Sequence, residues 1–148
     1  MPAAEPPAPA PAGARARVPV REGLFVDADP PSLVCGRCAR CGAHHFPRQP
    51  TCPYCSADSV DGALVHGPGR LWAYTAVTAP PPGYGGDVPY GLGVVELPEG
   101  LRVVSRLTEG DPASLRVGQE TELVIVPLET DGEGRDVVSY AFSPASRP

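Results

Sequence analysis

Hydrophobic and polar positions alternate through most of the second half of the chain, and the alternation predicts strands. Over Arg70–Val77, Leu71, Ala73, Thr75 and Val77 fall on one side and Trp72, Tyr74 and Ala76 on the other, rich in the aromatic and β-branched residues that suit a pleated surface. Gly93–Leu97 and Leu101–Leu107 flank Pro98-Glu99-Gly100, a turn signal that predicts a hairpin. Asp111 ahead of Pro112 reads as an N-cap followed by proline at the first helical position, so one short helical turn is expected, stopped by Gly118. Glu122–Leu128 and Asp136–Phe142 complete five strands, the last two joined by the polar loop Thr130-Asp131-Gly132-Glu133-Gly134. Five short strands around one helical turn fit a small closed or partly open barrel, with minimal helix.

The first half lacks this regularity. Six of the 21 prolines and seven alanines fall within Met1–Val20, so residues 1–23 are expected to form a disordered, polyproline-like tail. Every cysteine lies between residues 35 and 55. The resulting division is a tail over 1–23, a cysteine-bearing unit over 24–66, the barrel over 67–144 and a short tail over 145–148. The longest unbroken apolar run, Leu123 to Val126, is far short of the roughly 20 residues that span a membrane. No apolar leader segment follows the N-terminus, so a soluble, cytoplasmic protein is expected.

Charge narrows the partners. All 12 basic residues are arginine, against 17 acidic ones. Residues 71–148 carry five Arg against eleven Asp and Glu, a balance that would repel a phosphate backbone. Nucleic-acid binding is disfavoured.

Cys38-Ala-Arg-Cys41-Gly42, ten residues, then Cys52-Pro53-Tyr54-Cys55 is a pair of CxxC knuckles. Two residues between thiolates aim backbone N–H groups at the sulfurs while both sulfurs reach one ion, and two such turns supply the four ligands of tetrahedral zinc. Gly42 directly after the second cysteine suits the tight backbone of a knuckle. A rubredoxin-like iron site and disulfides are the alternatives, the latter disfavoured without a secretion signal. Cys35-Gly-Arg-Cys38 is also a CxxC, so Cys35 competes with Cys41 for a place in the ligand set. Cys38 with Cys41 is the preferred pair because of Gly42, leaving Cys35 a packed or inert thiol. His44 and His45 are the other candidate ligands. Four thiolates close the coordination sphere, so the ion is expected to hold structure rather than activate water.

No nucleophile, base and orienting group assemble into a recognisable catalytic motif. Two of the three histidines lie in the cysteine segment and His66 in the linker after it, and no GxSxG, Walker or GxGxxG sequence is present. A non-catalytic chain is expected. The segment Thr78–Tyr90 stands out instead: a long loop stiffened by Pro80-Pro81-Pro82, carrying Tyr84 and Tyr90 for stacking on a ligand or docking on a protein.

Arg37-Cys38-x-x-Cys41-Gly42, Phe46-Pro47-Arg48, Cys52-Pro53-x-Cys55, Gly69-Arg70-Leu71-Trp72-x-Tyr74-Thr75, Pro89-Tyr90-Gly91-Leu92-Gly93, Val95–Gly100 and Leu115-Arg116-Val117-Gly118 follow one another in a recognisable order. Together they resemble the zinc-ribbon OB-fold proteins, a family of domains of unknown function that accompany thiolases. The resemblance spans about residues 24–144. It implies a rubredoxin-like zinc ribbon followed by a five-stranded OB-fold barrel, and an accessory subunit of a thiolase-superfamily enzyme (thiolase, aldolase or acyltransferase) that helps assembly and the binding or channelling of acyl-CoA. The partner would be a thiolase-like or ketosynthase-like subunit. Within that picture Trp72 and Tyr74 line the barrel face, Tyr84 and Tyr90 the long loop, and Arg48 or Arg70 meets a CoA phosphate. Two departures stand out: the segment Arg21–Pro31 is too proline-rich for the helix with which relatives begin, and Cys35 replaces a small residue. The alternatives are a stand-alone acyl-CoA-binding protein and a single-stranded nucleic-acid module, since ribbons and OB-folds occur in that role as well.

Overall fold

The computed structural model describes residues 15–145, and the alternating pattern emerges as ten strands with one short 3-10 turn. Four strands build the ribbon: β2 (Phe25–Val26), β3 (Ser32–Cys38), β4 (His44–His45) and β5 (Val60–Val65). β3 is its spine, antiparallel to β2 and β4 along one edge and to β5 along the other. The barrel follows with β6 (Gly69–Val77), β7 (Tyr90–Glu96), β8 (Arg102–Leu107), β9 (Glu120–Thr130) and β10 (Asp136–Pro144). β6, β7 and β8 form an antiparallel meander. β10 pairs parallel with β8 and antiparallel with β9, and β9 returns to β6 through the pairs Thr121–Gly69 and Glu120–Arg70, which closes the barrel.

Local chemistry explains the connections. Between β8 and β9 the turn Pro112–Ser114 is capped by Asp111, whose Oδ1 accepts the Ala113 N–H at 2.9 Å. Gly100 (φ 86°) makes the hairpin between β7 and β8. Asp131 organises the β9–β10 loop, its carboxylate accepting the N–H groups of Glu133 and Arg135 and the Arg135 Nε–H. Those hydrogen bonds, the Arg135 N–H first, hold its carboxyl below the ordinary aspartate value.

Three expectations need correction. β7 begins at Tyr90 rather than Gly93 because a Cβ on Gly91 would collide with the Glu109 carbonyl oxygen; glycine lets that strand start run against the chain beyond β8. In β6 the register shifts between Leu71, opposite Val95, and Ala73, opposite Val94. Trp72 is the extra residue of a bulge. Leu71 therefore shares the inner face with Tyr74 and Ala76, while Trp72 faces outward with Ala73, Thr75 and Val77. Finally, β1 (Arg17–Pro19) pairs parallel with Asp136–Val138 of β10, inside the stretch expected to be a disordered tail. Backbone pairing drives it: the Asp136 N–H donates to Ala16 O and the Val20 N–H to Val138 O, both at 2.8 Å, and Arg17 meets Asp27 at 3.0 Å. Composition does not register a free strand edge that needs a partner. The rest of the expected tail, residues 1–14, and the last three residues lie outside the described residues.

The ribbon and the barrel share one hydrophobic core. Phe25, Leu33, Cys35 and Val65 of the ribbon join Leu71, Val95, Val103, Leu107, Leu123 and Phe142 of the barrel. Phe46 and Phe25 meet Tyr140 of β10 edge-on, with ring centroids 5.3 and 6.5 Å apart, so aromatic contacts join the two units. Thr121, buried between β9 and β6, satisfies its hydroxyl on Gly69 O.

Candidate metal centre and barrel surface

The two knuckles are built alike. In the first, Cys38 N–H donates to Ala43 O at 3.0 Å and Gly42 N–H to Cys38 O at 2.9 Å. The second repeats the pattern at the same spacings, Cys52 N–H to Ala57 O at 2.8 Å and Ser56 N–H to Cys52 O at 3.0 Å. Gly42 has φ 77° and Ser56, in the matching place, φ 64°. Ser56 is the one non-glycine residue with positive φ among those described.

The sulfurs of Cys38, Cys41, Cys52 and Cys55 converge, all within 4.8 Å of one another. Cys38 to Cys55 is 3.6 Å and Cys41 to Cys52 is 3.7 Å. A zinc ion at about 2.3 Å from each sulfur requires sulfur pairs about 3.8 Å apart, so the cage has the size of a tetrahedral thiolate site. Its electrostatics agree. The Cys41 N–H, with that of Arg40, holds the Cys38 thiol down to about 6 against the effect of burial. At Cys52, burial works against the thiolate, but the N–H groups of Cys55 and Tyr54 bring its pKa down overall. Cys55 receives the Ala57 N–H, yet burial and the other sulfurs push it up to about 11. Four sulfurs this close cannot all ionise without a cation among them; a dication removes that conflict. The residues present fit zinc.

Cys35 stands apart. It sits in mid-β3 opposite Ala63, fully buried in the shared core, and burial first and Glu99 second push its thiol up to about 12. It is not among the four converging sulfurs, whereas Cys41 is. His45 is buried as well, but its Nε2 accepts the Gln49 N–H at 3.1 Å and its ring fills the space a Cβ on Gly36 would need. The Cys35-Gly36 step is thus explained by packing: one side chain enters the core and the other is absent to admit an imidazole.

The remaining candidates separate. Arg48 lies across Gly62 of the ribbon, where a Cβ would come within 2.8 Å of its Nη1. Arg70 donates to Gly118 O on the barrel. Tyr74 turns inward against the core, away from Trp72, the bulge being the reason. Trp72 is half exposed, with the Arg102 guanidinium 4.1 Å from its ring centre and Arg102 Nε donating to Glu96 at 3.0 Å. Tyr84 and Tyr90 do come together, centroids 5.2 Å apart, around Arg106, which lies 4.8 Å from the Tyr90 ring and donates to Tyr84 Oη at 2.9 Å. Arg102 and Arg106 are the residues the pattern undervalued. Arg102, Val104 and Arg106 alternate on β8 as its outward positions, which is the signal that places them under the aromatics.

Similarity to known proteins covers both units. Residues 26–61 match the rubredoxin-like zinc ribbon domain of ChsH2, and residues 64–126 match its C-terminal OB-fold domain. A DUF35 domain-containing scaffold protein of Methanothermobacter thermautotrophicus is 33% identical over 112 residues, covering 75% of this chain and 84% of the relative. The benzoylsuccinyl-CoA thiolase subunit BbsA of Thauera aromatica is 31% identical over 116 residues, 78% of each chain. Among solved structures, the Ltp2-ChsH2(DUF35) aldolase matches with a TM-score of 0.61 and 30% identity over 76% of this chain and 84% of that one. A thiolate cage of zinc dimensions leading into a closed five-stranded barrel, matched in both units, is what the resemblance implied: the chain belongs to the DUF35 family of zinc-ribbon, OB-fold proteins.

Proposed function

We propose that the chain is a non-catalytic accessory subunit of a thiolase-superfamily enzyme, holding the assembly together and forming part of the path for its acyl-CoA. The observation that carries this reading is similarity along both units to a subunit of a CoA-thioester thiolase and to the ChsH2 partner in an aldolase complex. The chain's chemistry supports it. Four thiolates complete a zinc tetrahedron and leave no coordination position for substrate, so the bound ion would supply structural stability.

Cavity shape and charge favour a shared path over a stand-alone carrier. A cavity of about 680 Å³ at the junction of ribbon and barrel is lined by Asp27, Asp29, Glu120 and Glu122, with Arg17 already paired to Asp27. Such a lining repels the phosphates of CoA. The cavity beside Tyr90, Arg106 and Thr108 sets one arginine beside one carboxylate, Asp87, and holds only about 260 Å³, below the roughly 300–1,000 Å³ of a complete ligand pocket. We assign it one wall of an acyl-CoA path whose other wall is the enzyme subunit. Arg106 takes the anion-facing role that sequence reasoning gave to Arg48 or Arg70.

Co-purification of the tagged chain from its native host, followed by mass spectrometry, tests the proposal. A thiolase-type subunit recovered in stoichiometric amount after washing is the expected result. Recovery of the chain alone, loaded with zinc, would replace it with a free acyl-CoA-binding module.

A further inference from the structure

One edge of β9 lacks a partner over part of its length. The Ala145 N–H donates to Glu120 O at 2.8 Å, so by the period of two Glu120, Glu122 and Val124 aim their backbone groups at β10. Thr121, Leu123 and Ile125 aim theirs at the opposite edge. Gly69 of β6 stands across from Thr121 there, but β6 goes no further along β9, because His66, Gly67 and Pro68 line a cavity instead of extending the ladder. The N–H and C=O groups of Leu123 and Ile125 are left without a backbone partner among the described residues. Pro127 has no N–H to offer and bounds the open stretch. The cavity of about 680 Å³ runs along this edge. Glu122, Leu123, Val124 and Ile125 all line it, and successive strand residues, whose side chains point to opposite faces, share a cavity only where it lies beside the backbone.

We propose that this edge is a strand-addition site for an extended segment of a partner protein, with arginine or lysine at alternate positions and apolar residues between them. The inference stands on the groove itself and does not depend on the accessory role. An unpaired edge offers backbone hydrogen bonds to any extended chain, and the side chains beside it select which chain is held. Glu120 and Glu122 lie on one face of β9 and Leu123 and Ile125 on the other. An added strand therefore meets carboxylates with one set of its side chains and apolar groups with the next. Neighbouring charges do not cancel the acidic lining. Arg17 is held by Asp27 at 3.0 Å and Arg70 stands across from Glu120, yet Asp29 and Glu122 have no ion-pair partner among the described residues. A second copy paired edge to edge would set two acidic grooves against each other. The chain's own residues 1–14 carry Glu5 and no base, and their prolines lack the donors a ladder needs.

Fluorescence anisotropy of a labelled heptapeptide of alternating arginine and valine, titrated with the zinc-loaded chain, tests the assignment. Saturable binding is expected, at least about tenfold weaker for Glu122→Lys and absent for a glutamate–valine peptide of the same length. Backbone pairing is read separately. N-methylation of one alternate set of peptide residues removes the N–H groups that face β9 and should weaken binding at least about tenfold, whereas N-methylation of the other set should change it less than about twofold. Amide exchange followed by NMR should slow at Leu123 and Ile125 when the peptide is added and stay unchanged at Val124, whose N–H already serves β10. Circular dichroism and zinc content verify the fold of Glu122→Lys, and the N-methylated peptides leave the protein untouched. No binding by wild type up to millimolar peptide, or equal effects of the two N-methylated sets, overturns the strand-addition site. Wild-type affinity in Glu122→Lys, or equal binding of the glutamate–valine peptide, overturns the basic occupant and with it the inference. Protection of Leu123 and Ile125 without peptide, in a concentration-dependent dimer, gives the edge to a second copy and overturns it as well. The accessory role is tested by co-purification and survives each of these failures.

Discussion

Ser56 occupies a backbone conformation that its side chain disfavours, and the first knuckle shows what the position prefers. Gly42 and Ser56 close the two knuckles with the same pair of backbone hydrogen bonds, at φ 77° and 64°. A left-handed conformation costs an L-residue about 1–2 kcal/mol, which glycine escapes. Replacing serine by glycine also frees the unfolded chain, which offsets about 0.4–1 kcal/mol. Ser56→Gly is therefore expected to stabilise the zinc-loaded protein by about 0.5–1 kcal/mol. Gly42→Ser should cost a similar amount, since a Cβ there meets nothing closer than Arg37 Nη2 at 4.0 Å and only the backbone objects. Because metal binding and folding of such a unit are linked, the same change appears as a zinc affinity about twofold to fivefold higher for Ser56→Gly and correspondingly lower for Gly42→Ser. Chelator competition at fixed pH reads the affinity, and thermal unfolding at constant free zinc reads the stability. The double exchange should return close to wild type. A Ser56→Gly protein with unchanged or weaker zinc affinity would refute the reasoning, because the matched geometry leaves no other term to oppose the gain.

Metal stoichiometry separates the cysteines: Cys35→Ala should retain one zinc per chain, whereas Cys41→Ala should lose it or bind it far more weakly, as atomic absorption would show. With its thiol pushed up to about 12 and fully buried, Cys35 should resist iodoacetamide at pH 8 until the protein is unfolded, which peptide mapping reads directly. The aromatic contacts between the two units predict that Tyr140→Ala costs about 2–4 kcal/mol in denaturant unfolding and Tyr140→Phe about 1 kcal/mol, the latter for the hydrogen bond to Val104 O. Asp131 gives a pH test of definite sign. Its folded pKa is depressed, so its contribution to the β9–β10 loop is complete above the ordinary aspartate value near 4 and fades as pH falls through the lower folded value. Amide-exchange protection at Glu133 and Arg135 should follow that acid limb and be absent in Asp131→Ala.

Each strand of the barrel, the capped turn at Asp111, the hairpin at Gly100 and the knuckles at Cys38–Cys41 and Cys52–Cys55 were legible in the sequence. All of these depend on residues within a few positions of one another: a period of two, a cap, a positive-φ glycine, a two-residue ligand spacing. Tertiary structure decided the rest. The bulge at Trp72 depends on how β6 meets β7, and it turned Tyr74 into the core while leaving Trp72 on the surface. Cys35 and Cys41 are equally spaced from Cys38 in the sequence, and only the tertiary structure put Cys35 in the core and Cys41 among the converging sulfurs. Arg106 gained its place from Tyr84, 22 residues away, and β1 found its edge on β10 more than a hundred residues along the chain. Local preferences choose the elements of this protein, but register and packing between distant segments choose which side chains share a surface, and the candidate sites lie on those surfaces.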